Sequence, residues 1–218
     1  MAVRTCFFVA GICLALAGPS FAQHGEQHLH RSFDDAAKWS KIFDDPGRDA
    51  WQKPAEVIRA LKLPHDAAVA DIGSGTGYFA VRLARALPKG RVYGADIAPD
   101  MVKFLNERAA KEKLPNLSSH LAGESDPKLP APVDLVLVVD TYHHIPRRVA
   151  YFTELKKVLK PSARVAIIDF RKGAPDGPPE EFRLTPDQIS EELGKAGFAL
   201  QTQHDFLPRQ NYLVYRAK

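Results

Sequence analysis

Two short stretches carry residues able to do chemistry. In "VADIGSGTGYFA", residues 69–80, an acid closes an apolar run, and Gly73, Gly75 and Gly77 follow at alternate positions. Such a turn lets backbone lie against a ligand with no side chain between them. In "VLVVDTYHHIP", residues 136–146, Asp140, Tyr142, His143 and His144 follow a second apolar run. An acid, a phenol and two imidazoles at a strand end suit acid–base work or metal ligation, or are simply the first residues of the next element. The metal reading lacks a third ligand, and adjacent histidines usually diverge in direction.

Three ligand classes compete for the glycine loop. A nucleoside triphosphate site needs Lys and then Ser or Thr after the glycines, and neither is there. A dinucleotide fingerprint needs glycine at position 78, which holds Tyr78, and this weakens a nicotinamide-dependent oxidoreductase. The stretch resembles instead motif I of the class I S-adenosylmethionine-dependent methyltransferases. That resemblance implies that Asp71 orients the methionyl portion of the cofactor S-adenosyl-L-methionine, and that Gly73, Ser74, Gly75 and Gly77 bind it. It also makes Asp96, at the end of "YGADIAPDMV", the ribose-binding position, with Ile97 and Met101 beside the adenine. "LAGESDPKLP" is similar to the segment that touches the adenine edge, which brings in Glu124, Ser125 and Asp126. Plainer duties compete. A strand-end Asp96 can cap the following helix, although Asp100 is closer to that task, and Asp126-Pro127 can stop a strand.

A sulfonium methyl is already an activated electrophile. The protein must hold an acceptor in line behind it and keep water out, with no metal or covalent nucleophile required. Members of the family often carry a histidine pair at the place of "YHHI". Asp140, Tyr142, His143 and His144 are therefore the candidate catalytic residues. One imidazole is expected to pack or hydrogen-bond at the strand–helix junction, and the other, with Tyr142, to border a small-molecule or lipid-like acceptor. Trp39, Phe43, Arg48 and Trp51 are candidates from the N-terminal region, and Asp169 and Arg171 from the end of a later strand. A non-catalytic binding or scaffold module keeping the same fold is the alternative. Intact cofactor motifs speak against it.

The elements that position these residues alternate in period. Residues 68–73, 90–97, 117–123, 133–140 and 164–170 read as strands, and 77–88, 98–114 and 147–159 as helices. Alternation with short turns predicts a parallel sheet covered on both faces. A helix starts at "TPDQI", where Thr185 and Gln188 form a capping box with Pro186 at the first helical position. "GFALQTQHDFL" and "NYLVYRAK", joined by "PRQ", read as a hairpin. With the resemblance, the fold class is α/β: a Rossmann-like, mostly parallel seven-stranded sheet with helices on both faces and a C-terminal antiparallel hairpin. Before it, amphipathic stretches around Trp39 and over 53–61 predict two covering helices.

Of 218 residues, 45% are hydrophobic, enough for one sizeable core. Arg4, the run "TCFFVAGICLALAG", Pro19 and "SFA" read as a secretory signal with cleavage after Ala22. The expected organisation is a signal at 1–22, an extension and helical cover at 23–64, and the methyltransferase domain at 65–218, in a periplasmic or secreted protein. Both cysteines, Cys6 and Cys13, lie in the leader. The mature chain would thus have no thiol for a disulfide, a zinc site or a nucleophile. His24, His28 and His30 sit in a polar stretch with no rigid element to fix them. The net charge of +4 is spread, with no basic run interleaved with aromatics, so no nucleic-acid partner is argued. No stable membrane span is expected in the mature chain.

Overall fold

The computed structural model describes Met1, Phe33 and residues 35–218. The expected signal at 1–22 and His24, His28 and His30 lie outside the described residues. Seven strands form one sheet: β1 (Ala68–Ile72), β2 (Arg91–Asp96), β3 (Leu117–Leu121), β4 (Val133–Val139), β5 (Leu159–Phe170), β6 (Phe198–His204) and β7 (Gln210–Ala217). Their order is β3-β2-β1-β4-β5-β7-β6. β1 to β5 run parallel, and β7 lies antiparallel between β5 and β6. The order reverses between β1 and β4, one leading outward to β2 and the other to β5. That reversal opens a crevice beyond their carboxyl ends, where sheets of this kind place ligands.

Both faces of the sheet are covered, as the near-continuous apolar strands require. On one face α3 (Pro54–Ala60), α4 (Tyr78–Ala86) and α5 (Pro99–Lys111) contribute Val57, Leu83 and Leu105 to the core. On the other α6 (Arg148–Lys156) and α7 (Pro186–Lys195) contribute Phe152, Leu155, Ile189 and Leu193. The capping box at Thr185 and Gln188 forms in both directions. No helix among the described residues is long and apolar enough to cross a membrane.

Three local readings differ. The cover holds three helices rather than two, α1 (Ala36–Phe43), α2 (Arg48–Gln52) and α3. α2 has only five residues, too few to show a period, and left-handed Lys53 ends it while Pro54 starts α3. The helix expected to Leu159 stops at Lys156; Val158 is exposed and Leu159 pairs with Val133 in a longer β5. Pro161 disfavours helical backbone at Lys160 and helps end it there. The hairpin link spans 205–209 rather than "PRQ", because Leu207 turns into the core beside Val57 and Tyr212.

Candidate active site

The glycine loop leaves β1 with Gly73, Gly75 and Gly77 all at positive φ, 69°, 51° and 91°. Their reasons differ. A Cβ on Gly73 would meet the Thr141 side chain at 2.2 Å, and one on Gly77 would meet Leu105 Cδ1 at 2.3 Å. Both glycines admit neighbouring protein. At Gly75 a Cβ would meet only Phe43, at 3.5 Å, so this residue faces the space under the cover. The Gly75 N–H donates to Asp96 Oδ2 at 2.8 Å, and the Ala98 N–H to Asp96 Oδ1 at 3.0 Å. Asp96 thus both pins the loop and caps the turn into α5. Asp100, the residue expected to cap, accepts the Asp35 N–H at 3.2 Å and ties down α1.

A cavity of about 510 Å³ opens at this end of the sheet. Asp71, Gly73, Ser74, Gly75, Asp96, Ile97 and Met101 line it, as does Glu124. Gly77 does not, being committed to Leu105. Ser125 and Asp126 do not line it either. Both are exposed, and Asp126 closes the turn after β3 by accepting from Gly123 and Lys128 backbone N–H groups. Burial pushes the Asp71 carboxyl up to about 7, against the opposing charge of Arg48, with Asp96 raising it further. Burial also raises Asp96, against N–H groups of Ala98, Gly75 and Ile97. The hydroxyls of Ser74 and Thr76 are buried on this wall with no partner among the described residues. Unsatisfied hydroxyls, acceptors at both ends and a backbone-lined turn fit a zwitterionic nucleoside ligand such as the expected cofactor.

The other wall begins at Asp140, itself at φ 52°. It accepts from Arg48 at 3.3 Å and from the Gln210 side-chain amide. Burial pushes it up to about 7; Arg48 pulls against that and Asp169 adds to it. A 3₁₀ turn follows over Tyr142–His144. Successive side chains in such a turn point about 120° apart, so the three residues cannot share one face. His143 and His144 line the cavity and Tyr142 does not. Tyr142 is fully buried toward α7, donating to Glu192 Oε2 at 2.7 Å and packing on Phe152. Its expected place beside the acceptor is therefore corrected. Asp169 holds the His143 ring and backbone. Burial alone would lower His143, but the charge and hydrogen bond of Asp169 carry it above the ordinary value. The His144 ring stands edge-on to Phe33 at 5.6 Å.

The cover supplies an aromatic roof, with Trp39 stacked on Phe43 at 5.3 Å and Phe33 at 5.2 Å from Trp39. Trp51 adds a further wall, 5.6 Å from Phe170. Beneath it lies a closed ring of side chains: Arg48 donates to Gln52 and to Asp140, Gln52 donates to Gln210, and Gln210 donates to Asp140. Gln52 and Gln210 had no signal in the sequence, since 158 positions separate them. Tyr78 lines the cavity and donates to Asp49. Its place at the first helical position after the glycines was the only available hint.

The chain matches the family model described as a methyltransferase domain over residues 64–205. It is 31% identical over 125 residues to an arsenite methyltransferase of Halobacterium salinarum, covering 56% of this chain and 31% of that protein. It is 26% identical over 171 residues to a probable chloroplastic tocopherol O-methyltransferase of Oryza sativa, covering 75% of this chain and 46% of that protein. The chain thus spans less than half the length of these curated relatives. A solved S-adenosylmethionine-dependent methyltransferase from Aquifex aeolicus superposes with a TM-score of 0.77 at 28% identity, covering 84% of this chain and 99% of that one.

Proposed function

The chain belongs to the class I S-adenosylmethionine-dependent methyltransferases, and we propose that it methylates an ionisable oxygen on a small aromatic or lipid-like acceptor. The observation that carries this reading is the His143–Asp169 pair at the edge of an aromatic-roofed cavity shared with the glycine loop. When bound, S-adenosylmethionine supplies an electrophilic methyl group and leaves as a neutral thioether.

The residues of the chain do the rest. Asp71 and Asp96 would hold the two ends of the cofactor, with Ile97 and Met101 available to its base. Phe33, Trp39, Phe43 and Trp51 hold the acceptor and exclude water. Asp169 engages His143 Nδ1, which leaves Nε2 as the atom that takes the acceptor's proton. Asp169 then stabilises the imidazolium. The relative named as a tocopherol O-methyltransferase supports an oxygen acceptor on a lipid-like molecule. A scaffold has no use for a buried imidazole held by a carboxylate at a cavity wall, which favours catalysis over a binding module.

Purified protein incubated with S-adenosylmethionine and a panel of phenols, hydroquinones and enols tests the reading by release of the demethylated thioether. Turnover on a panel member, lost in His143→Gln, is expected; cofactor binding with no turnover on any of them would sink it. Export to the periplasm or outside the cell belongs to the same proposal and rests on the run after Arg4 and "SFA" before Gln23. Mass spectrometry of the native N-terminus tests it, an intact Met1 counting against it.

A further inference from the structure

At the β5 end of the cavity a wall is built from the segment that follows that strand. Asp169 and Phe170 are the last residues of β5: the first holds His143, and the second lines the cavity. Gly177, Pro178 and Pro179 continue the wall, and Trp51 of the cover lies 5.6 Å from the Phe170 ring. Gly177 is at φ 114°, and a Cβ there would stand 2.6 Å from two atoms of that ring. Only glycine lets the backbone lie so close against Phe170.

The side chains of this wall are uncharged, and its backbone is largely spent. Proline has no N–H to offer, and the Pro178 carbonyl accepts from Arg183 Nε at 2.8 Å. The side chain of Arg183, 8% exposed, also donates to the Ala174 carbonyl at 2.7 Å and pairs with Glu180 at 3.1 Å. Glu180 in turn accepts the Gly173 N–H at 3.1 Å, so one guanidinium fixes the whole segment. Two more arginines stand near and, like Arg183, do not line the cavity. Arg171 donates to the Leu207 and Pro208 carbonyls, and Arg209, 5.0 Å from the Trp51 ring, pairs with Asp176. Among the described residues Arg48 is the one lysine or arginine lining the cavity, and it is paired with Asp140.

We propose that Phe170, Gly177, Pro178 and Pro179 form a specificity wall for an uncharged hydrocarbon substituent of the acceptor, with Arg183 as the residue that positions it. The inference rests on the oxygen-acceptor reading above and orients the acceptor, hydroxyl at His143 and hydrocarbon arm along Phe170. Taking the arm out of water favours binding. A carboxylate carried to the same place would lose hydration with no cation facing it.

Calorimetry on protein saturated with S-adenosylhomocysteine tests this with phenol and its para-ethyl, para-propyl and para-butyl derivatives, alongside turnover of the same compounds. Affinity is expected to rise about three- to fourfold per methylene, the worth of taking that group out of water. The acid para-hydroxyphenylpropanoate should bind at least about tenfold more weakly than para-propylphenol. Pro178→Asp should flatten the rise. Arg183→Gln should reduce it by loosening the wall, while phenol and S-adenosylhomocysteine stay within about twofold, a pattern that general loss of structure would not give. Equal affinity along the series, equal binding of the acid, or binding of none of these compounds overturns the inference. Where the phenols are methylated all the same, the oxygen-acceptor reading stands. A rise with chain length in a protein that turns none of them over supports the wall and overturns that reading.

Discussion

Asp169 grips His143 at two places: both carboxylate oxygens lie 2.9 Å from Nδ1, and Oδ2 also accepts the His143 backbone N–H at 3.1 Å. The carboxylate fixes the proton on Nδ1, so Nε2 is free to act as a base. His143→Gln should lower kcat by about 10²- to 10⁴-fold, the range of general-base catalysis. In the unmodified enzyme the rate should climb with pH through a value above the ordinary 6.5, because Asp169 outweighs the effect of burial. Asp169→Asn removes that support, and the inflection should move down. A pH–rate profile identical in the two proteins would rule out the pairing as the source. The same pair stabilises the fold fully below about pH 6.5 and loses its contribution as pH rises through the folded value.

Asp71 is also raised, but by burial rather than by a partner. Burial raises it from 3.8 to about 7, so the folded state keeps a proton that the unfolded chain releases. Between those values stability falls as pH rises, since the folded state binds more protons than the unfolded one. Asp71→Asn should therefore raise Tm at pH 8, by about 2–4 °C for each kcal/mol of relief, and should raise it far less at pH 4. It should also weaken S-adenosylhomocysteine. Thermal unfolding at the two pH values checks the sign, and a variant less stable than the parent at pH 8 refutes it.

What was legible in the sequence was what local spacing records. Asp71, Gly75 and Asp96 end or follow strands whose apolar runs are unmistakable, and the structure brings them to one cavity. Asp140 and the two histidines were placed for the same reason. Tyr142 was misplaced because its direction depends on the 3₁₀ turn, which no period announces. Of Glu124, Ser125 and Asp126, a segment from which one contact was expected, only Glu124 lines the cavity, because a turn of a few residues decides where the three point. The Gln52–Gln210 bond joins the cover to the last strand, and a contact between elements so distant in the chain leaves no trace in either neighbourhood.

The glycines give a prediction that separates packing from binding. Gly77→Ala drives a methyl to 2.3 Å from the fully buried Leu105, at φ 91°. Overpacking of this kind costs about 1–3 kcal/mol beyond the left-handed strain. Gly75→Ala bears the strain alone, since its methyl meets Phe43 at an ordinary 3.5 Å. Thermal melts should show Gly77→Ala the less stable by several degrees. Calorimetry should show Gly75→Ala with the larger loss of S-adenosylhomocysteine affinity per degree of Tm lost. Equal losses in both measurements would mean that the two glycines share one duty.

Tyr142 stands next to the proposed base in sequence and on the opposite side of the turn in space, where its hydroxyl meets Glu192 at 2.7 Å. Arg148 holds the same carboxylate through Nε at 2.7 Å and a terminal nitrogen at 2.8 Å. Removing the hydroxyl therefore leaves Glu192 paired, and Tyr142→Phe should cost about 1.5–3 kcal/mol, the worth of one hydrogen bond to a charged group. The ring still fills its place against Phe152, 5.5 Å away between centroids. The variant should melt a few degrees lower with kcat within about twofold of the parent, as expected for a hydrogen bond remote from the reacting atoms. A collapse in kcat at unchanged Tm would return Tyr142 to the catalytic group and require the turn to present it to the cavity during turnover.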